Sequence, residues 1–257
     1  MDVLGVAFER PFHEGRQFFA PAANLKQIVI ARDLLGVVAS DPELDALLSA
    51  LALKDERRTG WQRRGVSDPE TVAGHSWGVA YLCLVLGDRA ARSFRERGER
   101  LDIDRAVRIA VVHDLAEAET GDVPRGEADP ARKRRRERAA MDRLAGPLPD
   151  AVRAAWEGYE ADDPAAAFVA DLDLLEPCLQ AVVYEREGRR DGGDGDDTDD
   201  FAGFFETARA GLRTPFGREL LDRLRERYRA ESGSGSGPGL GSVSGSGPGG
   251  ESGTQDR

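Results

Sequence analysis

The stretch from 111 to 124, VVHDLAEAETGDVP, places His113 beside Asp114 after a short apolar run and then adds Glu117, Glu119 and Asp122 before a proline. The chain holds only three histidines, and a second one, His75, also falls in an apolar helical pattern. An imidazole in such surroundings costs desolvation energy unless something satisfies it. A later apolar segment, FVADLDLLEP, carries Asp171 and Asp173. His75, His113, Asp114 and one of these two aspartates make a mixed imidazole and carboxylate set suited to one divalent ion. Mn, Co, Fe, Zn and Mg all accept such donors, and the set selects none of them. Glu117 follows Asp114 by three residues and His113 by four, so it lies on the same helix face one turn on. Such a position by itself is that of an ordinary surface acid.

These residues need helices to hold them. From residue 25 to about 230 the apolar positions recur at helical spacing and no hairpin signal appears, so the expected fold class is all-α. Ser40-Asp41-Pro42-Glu43 reads as a capping box, and Asp68-Pro69-Glu70 predicts an Asp cap for the helix carrying His75. Asp104 is placed to cap RAVRIAVVHDLAEAE, which should end near Gly121. Pro130 should open an arginine-rich helix closed by Gly146-Pro147. DAVRAAWEGYE, the aspartate helix PAAAFVADLDLLEPCLQAVVYERE and PFGRELLDRLRERYRA complete the set. Pro177 should kink the aspartate helix, since its ring cannot hydrogen-bond the carbonyl of residue 173.

Composition narrows the rest. The net charge of −11 argues against a nucleic-acid polymer as partner, because such binding depends on Lys and Arg neutralising phosphates. Cys83 and Cys178 both sit in apolar helical patterns and read as reduced core residues, which points to the cytoplasm. No run of 18 apolar residues and no signal pattern occurs, so no membrane partner is expected. Residues 1–24 read as an N-terminal extension, with His13 lacking a partner, and 231–257 as a disordered Gly/Ser/Pro-rich tail around a domain at 25–230. The acidic loop 188–200 and the basic run ARKRRRER, 131–138, read as solvated segments.

Together, RTGWQRRGVSDPETVAGHSWGVA, HDLAEAETGDVP and FVADLDLLEPCLQA resemble the HD-domain metal-dependent phosphohydrolases, in particular the small HD proteins related to bacterial 5′-deoxynucleotidase. The resemblance covers roughly residues 30 to 228 and implies an HD-domain helical bundle. It implies His75, His113, Asp114 and Asp173 as metal ligands, with Asp173 preferred to Asp171 because it directly precedes the LLE turn. It implies Glu117 as the group that positions or deprotonates the attacking water, a task suited to a carboxylate. Asp122 is implied as a contact to the sugar hydroxyl. Arg58 and Trp61 in RRTGW suggest a guanidinium facing the phosphate and an aromatic wall beside the nucleotide. The bacterial pattern puts the Arg directly before the Trp, where this chain has Gly60, so Arg57, Arg63 and Arg64 compete with Arg58.

The activity so implied is hydrolysis of a (deoxy)nucleoside 5′-monophosphate, with a small-molecule nucleotide as partner and a homodimer compatible with it. Two alternatives stand beside it. One is a different HD phosphohydrolase, acting on a nucleoside triphosphate or cyclic nucleotide. The other is a non-catalytic metal- or nucleotide-binding regulatory module.

Overall fold

The computed structural model describes residues 41–124, 126–189 and 201–234, the side chains of 233 and 234 excepted. The N-terminal extension with His13, the tail beyond 234 and most of the acidic loop lie outside the described residues. The described residues are helical with no strand or sheet, and Arg57 and Thr71 make an isolated antiparallel bridge. In chain order the helices are α1 (Pro42–Ala50), a 3-10 turn (Leu51–Lys54), α2 (Thr59–Gln62), α3 (Val72–Glu96), α4 (Ile103–Val112) and α5 (Glu117–Thr120). They continue as α6 (Pro130–Leu144), α7 (Asp150–Glu157), a second 3-10 turn (Gly158–Glu160), α8 (Pro164–Glu187), α9 (Ala202–Gly211) and α10 (Pro215–Ser234).

Helix α8 is the hub. Fifteen of its 24 residues are buried, which is the pattern of a helix enclosed on all sides rather than one with a single apolar stripe. It packs against α3, α4, α9 and α10, and Phe168, Leu172, Leu175 and Cys178 form the centre of the main core with Val79, Cys83 and Ile109. A second apolar cluster joins Val72 and Leu115 to Met141 and Leu144 of α6. Both cysteines are buried and free, and burial pushes their thiols up to about 12, so they act as small apolar residues.

Helix boundaries depart from the sequence expectations in instructive places. Asp68 does not cap α3. It takes a left-handed φ of 48°, tolerable for an aspartate, while Thr71 accepts the Gly74 N–H as cap. The reason lies across the chain: Arg58 N–H donates to the Glu70 carbonyl and Val72 N–H to the Glu56 carbonyl, so residues 70–71 are held extended. Helix α4 is capped by Asp102, not Asp104. It also stops at Val112 instead of running to Gly121. Over residues 115–118 the backbone bonds switch from i→i+4 to i→i+3, and α5 then forms before Gly121 ends it at φ 74°. Pro177 sits within a helix assigned without a break. Helix α9, in FAGFFETARAG, was not expected, and α10 extends through Glu231 to Ser234, into the segment read as tail.

Candidate metal centre and active site

The start of α3, the end of α4 and the middle of α8 deliver the histidines and aspartates to one point. His75 lies in the first turn of α3 and is fully buried. Its Nδ1 is 2.6 Å from Glu176 Oε2 and its Nε2 is 3.1 Å from Asp173 Oδ1 and 3.8 Å from Asp114 Oδ2. His113 closes α4, where Nδ1–H donates to the Ala110 carbonyl at 2.8 Å. That bond turns Nε2 inward, to 3.3 Å from Asp114 Oδ2 and 3.7 Å from Asp173 Oδ1. Donor atoms of His75, His113 and Asp173 all lie within 4.8 Å of one another. The tightened i→i+3 turn after His113 eclipses residues three apart, so Asp114 and Glu117 project on the same side.

The donor set fits a divalent cation on two observations. First, His113 Nε2 and Asp114 Oδ2 are buried with no hydrogen-bond partner, a costly arrangement unless something else satisfies them. Second, the cluster favours positive charge at its centre. Burial and Arg58 oppose protonation of His75, yet Glu176 and Asp173 raise it to about 10. His113 is raised too, burial being outweighed by Asp114 and Asp173. Burial and Asp173 push Asp114 up, but His113, His75 and Arg58 hold it below the usual carboxylate range. Whatever proton or ion sits there, its charge is what the carboxylates are arranged for.

Asp171 is two residues from Asp173 and faces elsewhere. Its carboxylate accepts Arg213 N–H at 2.7 Å, Thr214 N–H at 2.9 Å and the Thr214 hydroxyl at 2.6 Å, holding the segment that opens α10. Asp173 instead accepts the Tyr159 hydroxyl, and the His113 and Tyr159 rings lie 5.5 Å apart.

A cavity of about 550 Å³ opens beside the cluster, bordered by Arg58, Asp114, Glu117, Asp122 and Lys133. Arg58 Nη1 is 3.5 Å from both Asp114 Oδ2 and Asp122 Oδ1, so it spans the gap between them. Burial disfavours its charge, but these carboxylates and Glu117 outweigh that and keep it cationic. Arg57, Arg63 and Arg64 are spent elsewhere, on Asp68, Glu127 and the Gly60 carbonyl respectively. Glu117 is buried with Oε2 unpartnered, and burial, Asp114 and Asp122 push its carboxyl well above the usual range. Asp122 accepts the Thr59 N–H at 2.5 Å and so also anchors the start of α2.

Trp61 stands apart from the expected aromatic wall. It is 1% exposed, packs against Tyr184, Phe201 and Phe204, and donates its indole N–H to Glu70 at 2.8 Å. It lies beneath a smaller cavity of about 240 Å³, where half-buried Phe204 presents an aromatic ring. Three further residues escaped the sequence reading. Glu176 behind His75 and Tyr159 behind Asp173 carry no spacing signal. Lys133 was absorbed into ARKRRRER as a solvated face, although it is the member of that run that reaches Glu117.

Comparison with known proteins agrees with this geometry. Residues 50–202 match the family model described as HD domain. Human 5′-deoxynucleotidase HDDC2 is 38% identical over 159 residues, covering 60% of this chain and 73% of the human protein. Schizosaccharomyces pombe 5′-deoxynucleotidase hdd1 is 32% identical over 156 residues, 57% of this chain and 72% of that one. Among solved structures, PH0347 from Pyrococcus horikoshii superimposes with a TM-score of 0.55 at 31% identity, over 72% of this chain and 98% of its own. A protein from Magnetospirillum magnetotacticum described as a predicted metal-dependent phosphohydrolase gives 0.50 at 27% identity, over 72% and 92%.

Proposed function

The chain belongs to the HD-domain family, and from that premise we propose that it is a metal-dependent phosphohydrolase that converts a deoxynucleoside 5′-monophosphate to nucleoside and phosphate. The observation that carries the reading is the buried pair His113 Nε2 and Asp114 Oδ2, 3.3 Å apart and each without a hydrogen bond, which face Asp173 and His75 at the edge of a cavity lined by Arg58, Glu117 and Asp122. The relatives named 5′-deoxynucleotidase support the substrate class. HD proteins and a metal-dependent neighbour imply a divalent metal. We assign its ligands as His75, His113, Asp114 and Asp173.

When bound there, a divalent ion would supply positive charge to the phosphoryl group and acidify the attacking water. Arg58 donates to the non-bridging phosphoryl oxygens, with its guanidinium already held by Asp114 and Asp122. Glu117 takes the proton of the attacking water on Oε2, which makes no hydrogen bond, and burial beside Asp114 and Asp122 pushes its carboxyl upward, making it a stronger base than an exposed glutamate. Asp122 accepts a hydrogen bond from the sugar and orients the ring. Trp61 supports the floor on which Phe204 meets the nucleotide. No described helix is long and apolar enough to cross a membrane. The substrate is a small molecule, and we place the domain at 25–230, with α10 running on to Ser234, and the enzyme in the cytoplasm, on the strength of its two free, buried cysteines.

Phosphate release from a panel of deoxy- and ribonucleoside mono- and triphosphates, with added Mn or Co, tests the reading. Turnover should be greatest on deoxynucleoside 5′-monophosphates and should vanish with chelator. Hydrolysis confined to triphosphates, or none with any ion, would overturn it.

A further inference from the structure

Lys133 is the one basic residue of the run 131–138 drawn in from solvent. It sits in the first turn of α6, its side chain about one-third exposed, while Arg132, Arg134, Arg135 and Arg136 around it are exposed. Its ammonium meets acceptors on three different segments: Glu117 Oε1 of α5 at 3.5 Å, the Val123 carbonyl just past Asp122 at 3.2 Å, and Glu137 Oε1 one turn along α6 at 3.4 Å. Glu117 is thereby held unequally, with Oε1 beside a cation and Oε2 buried and unpartnered. Without that cation the Glu117 carboxylate would face only the repulsion of Asp114 and Asp122 from the cavity side, relieved in part by Arg58. Among the described residues, Lys133 is the one cation within ion-pair distance of Glu117.

We infer that Lys133 is a positioning residue: it grips Glu117 Oε1 so that Oε2 is presented to the attacking water, and it pins the segment that carries Asp122. In this role Lys133, at the border of the cavity, acts through Glu117 rather than on the phosphate. Burial opposes its charge, but Glu117, Glu137 and Asp114 more than compensate, so the ammonium persists throughout the neutral range. The inference rests on the proposed role of Glu117, and its test separates the two.

The test is a double-mutant cycle on turnover at saturating substrate, using Lys133→Met, Glu117→Gln and the double variant, with ion content measured on each. Misplacing a reacting group by about an ångström costs up to about 100-fold, so Lys133→Met should lose about 10- to 100-fold with unchanged ion content. In the Glu117→Gln background the same change should cost less than about twofold, because the group it positions is already gone. Lys133→Arg, which keeps the charge, should recover most of the loss, and Lys133→Gln repeats the cycle if the methionine variant misfolds. Full multiplicative losses would show that Lys133 acts independently of Glu117 and overturn the inference, as would unchanged turnover in Lys133→Met beside an impaired Glu117→Gln. Unchanged turnover in Glu117→Gln would remove Glu117 from the mechanism and the inference with it.

Discussion

Replacing Glu176 with leucine keeps the volume roughly constant and removes the acceptor for the Nδ1–H of His75. The two atoms are 2.6 Å apart, His75 is fully buried and Glu176 is nearly so. A hydrogen bond to a charged group is worth about 1.5–3 kcal/mol net, and a buried donor left unsatisfied costs about 1–3 kcal/mol. The bond also fixes which nitrogen carries the proton, leaving the Nε2 lone pair to face Asp114 and Asp173. Partners of this kind behind a ligating histidine contribute about 10- to 100-fold in metal affinity, or about 1.4–2.8 kcal/mol at 1.4 kcal/mol per decade. Glu176→Leu should therefore weaken Mn or Co binding toward the upper end of that range, about 100-fold. Glu176→Gln, which retains a neutral acceptor roughly half as strong, should weaken it about 10-fold. Gly78 offers an independent check: a Cβ there would sit 2.8 Å from Glu176 Oε1, so Gly78→Ala should displace the glutamate and weaken binding without touching any ligand. Chelator competition gives the Kd values and circular dichroism confirms the fold. A Kd within twofold of the parent for a folded Glu176→Leu would refute the reasoning.

Asp173→Asn should lose bound ion and turnover, whereas Asp171→Asn should keep both and instead lose about 2–3 kcal/mol of stability, because it weakens three bonds to a buried carboxylate; metal analysis and urea melts distinguish them, and the reverse pattern would exchange the assignments. In the ion-free protein His75 holds its proton up to about pH 10, and an ion must displace that proton to use Nε2. Apparent affinity should therefore fall at least tenfold for each pH unit lowered from 9 to 7, and more steeply where His113, also raised, gives up a proton as well; a pH-independent Kd over that interval would count against His75 as a ligand. If Asp122 holds the sugar as proposed, Asp122→Ala should raise KM and narrow the discrimination between dAMP and AMP, with a smaller effect on turnover; steady-state kinetics on both nucleotides would expose an equal loss on each.

The histidines and aspartates were legible because imidazoles are scarce in this chain and each sits where an apolar pattern makes an unsatisfied ring costly. The choice between Asp171 and Asp173 was not legible from spacing, since both lie in one buried helix and only the donors at Arg213 and Thr214 separate them. Helix caps were read from local chemistry, and that failed at Asp68, where pairing between residues 56–58 and 70–72 overrode a good local signal. Trp61 illustrates another limit: its identity marks a large aromatic near the site, but the sequence does not say whether the ring faces a ligand or the core. Helix α9 escaped because FAGFFETARAG follows a Gly- and Asp-rich loop and offers barely three turns of pattern. Lys133 was hidden by its neighbours, since a run of like charges conceals the one member whose turn of helix points inward.

The grip of Asp171 on Arg213 and Thr214 also sets an order of assembly. As the chain is made, every assigned ion ligand has been synthesised once Asp173 is added, yet the helix bearing it still carries a carboxylate whose three donors lie about 40 residues downstream. Seating that helix early would bury Asp171 unsatisfied, at a cost of several kcal/mol. The centre is therefore expected to remain open in the nascent chain until Thr214 arrives, and a product ending before that residue would possess every ligand without a stable cradle for them. Ion capture by ribosome-bound chains stalled at increasing lengths should rise sharply only after the start of α10 has cleared the exit tunnel.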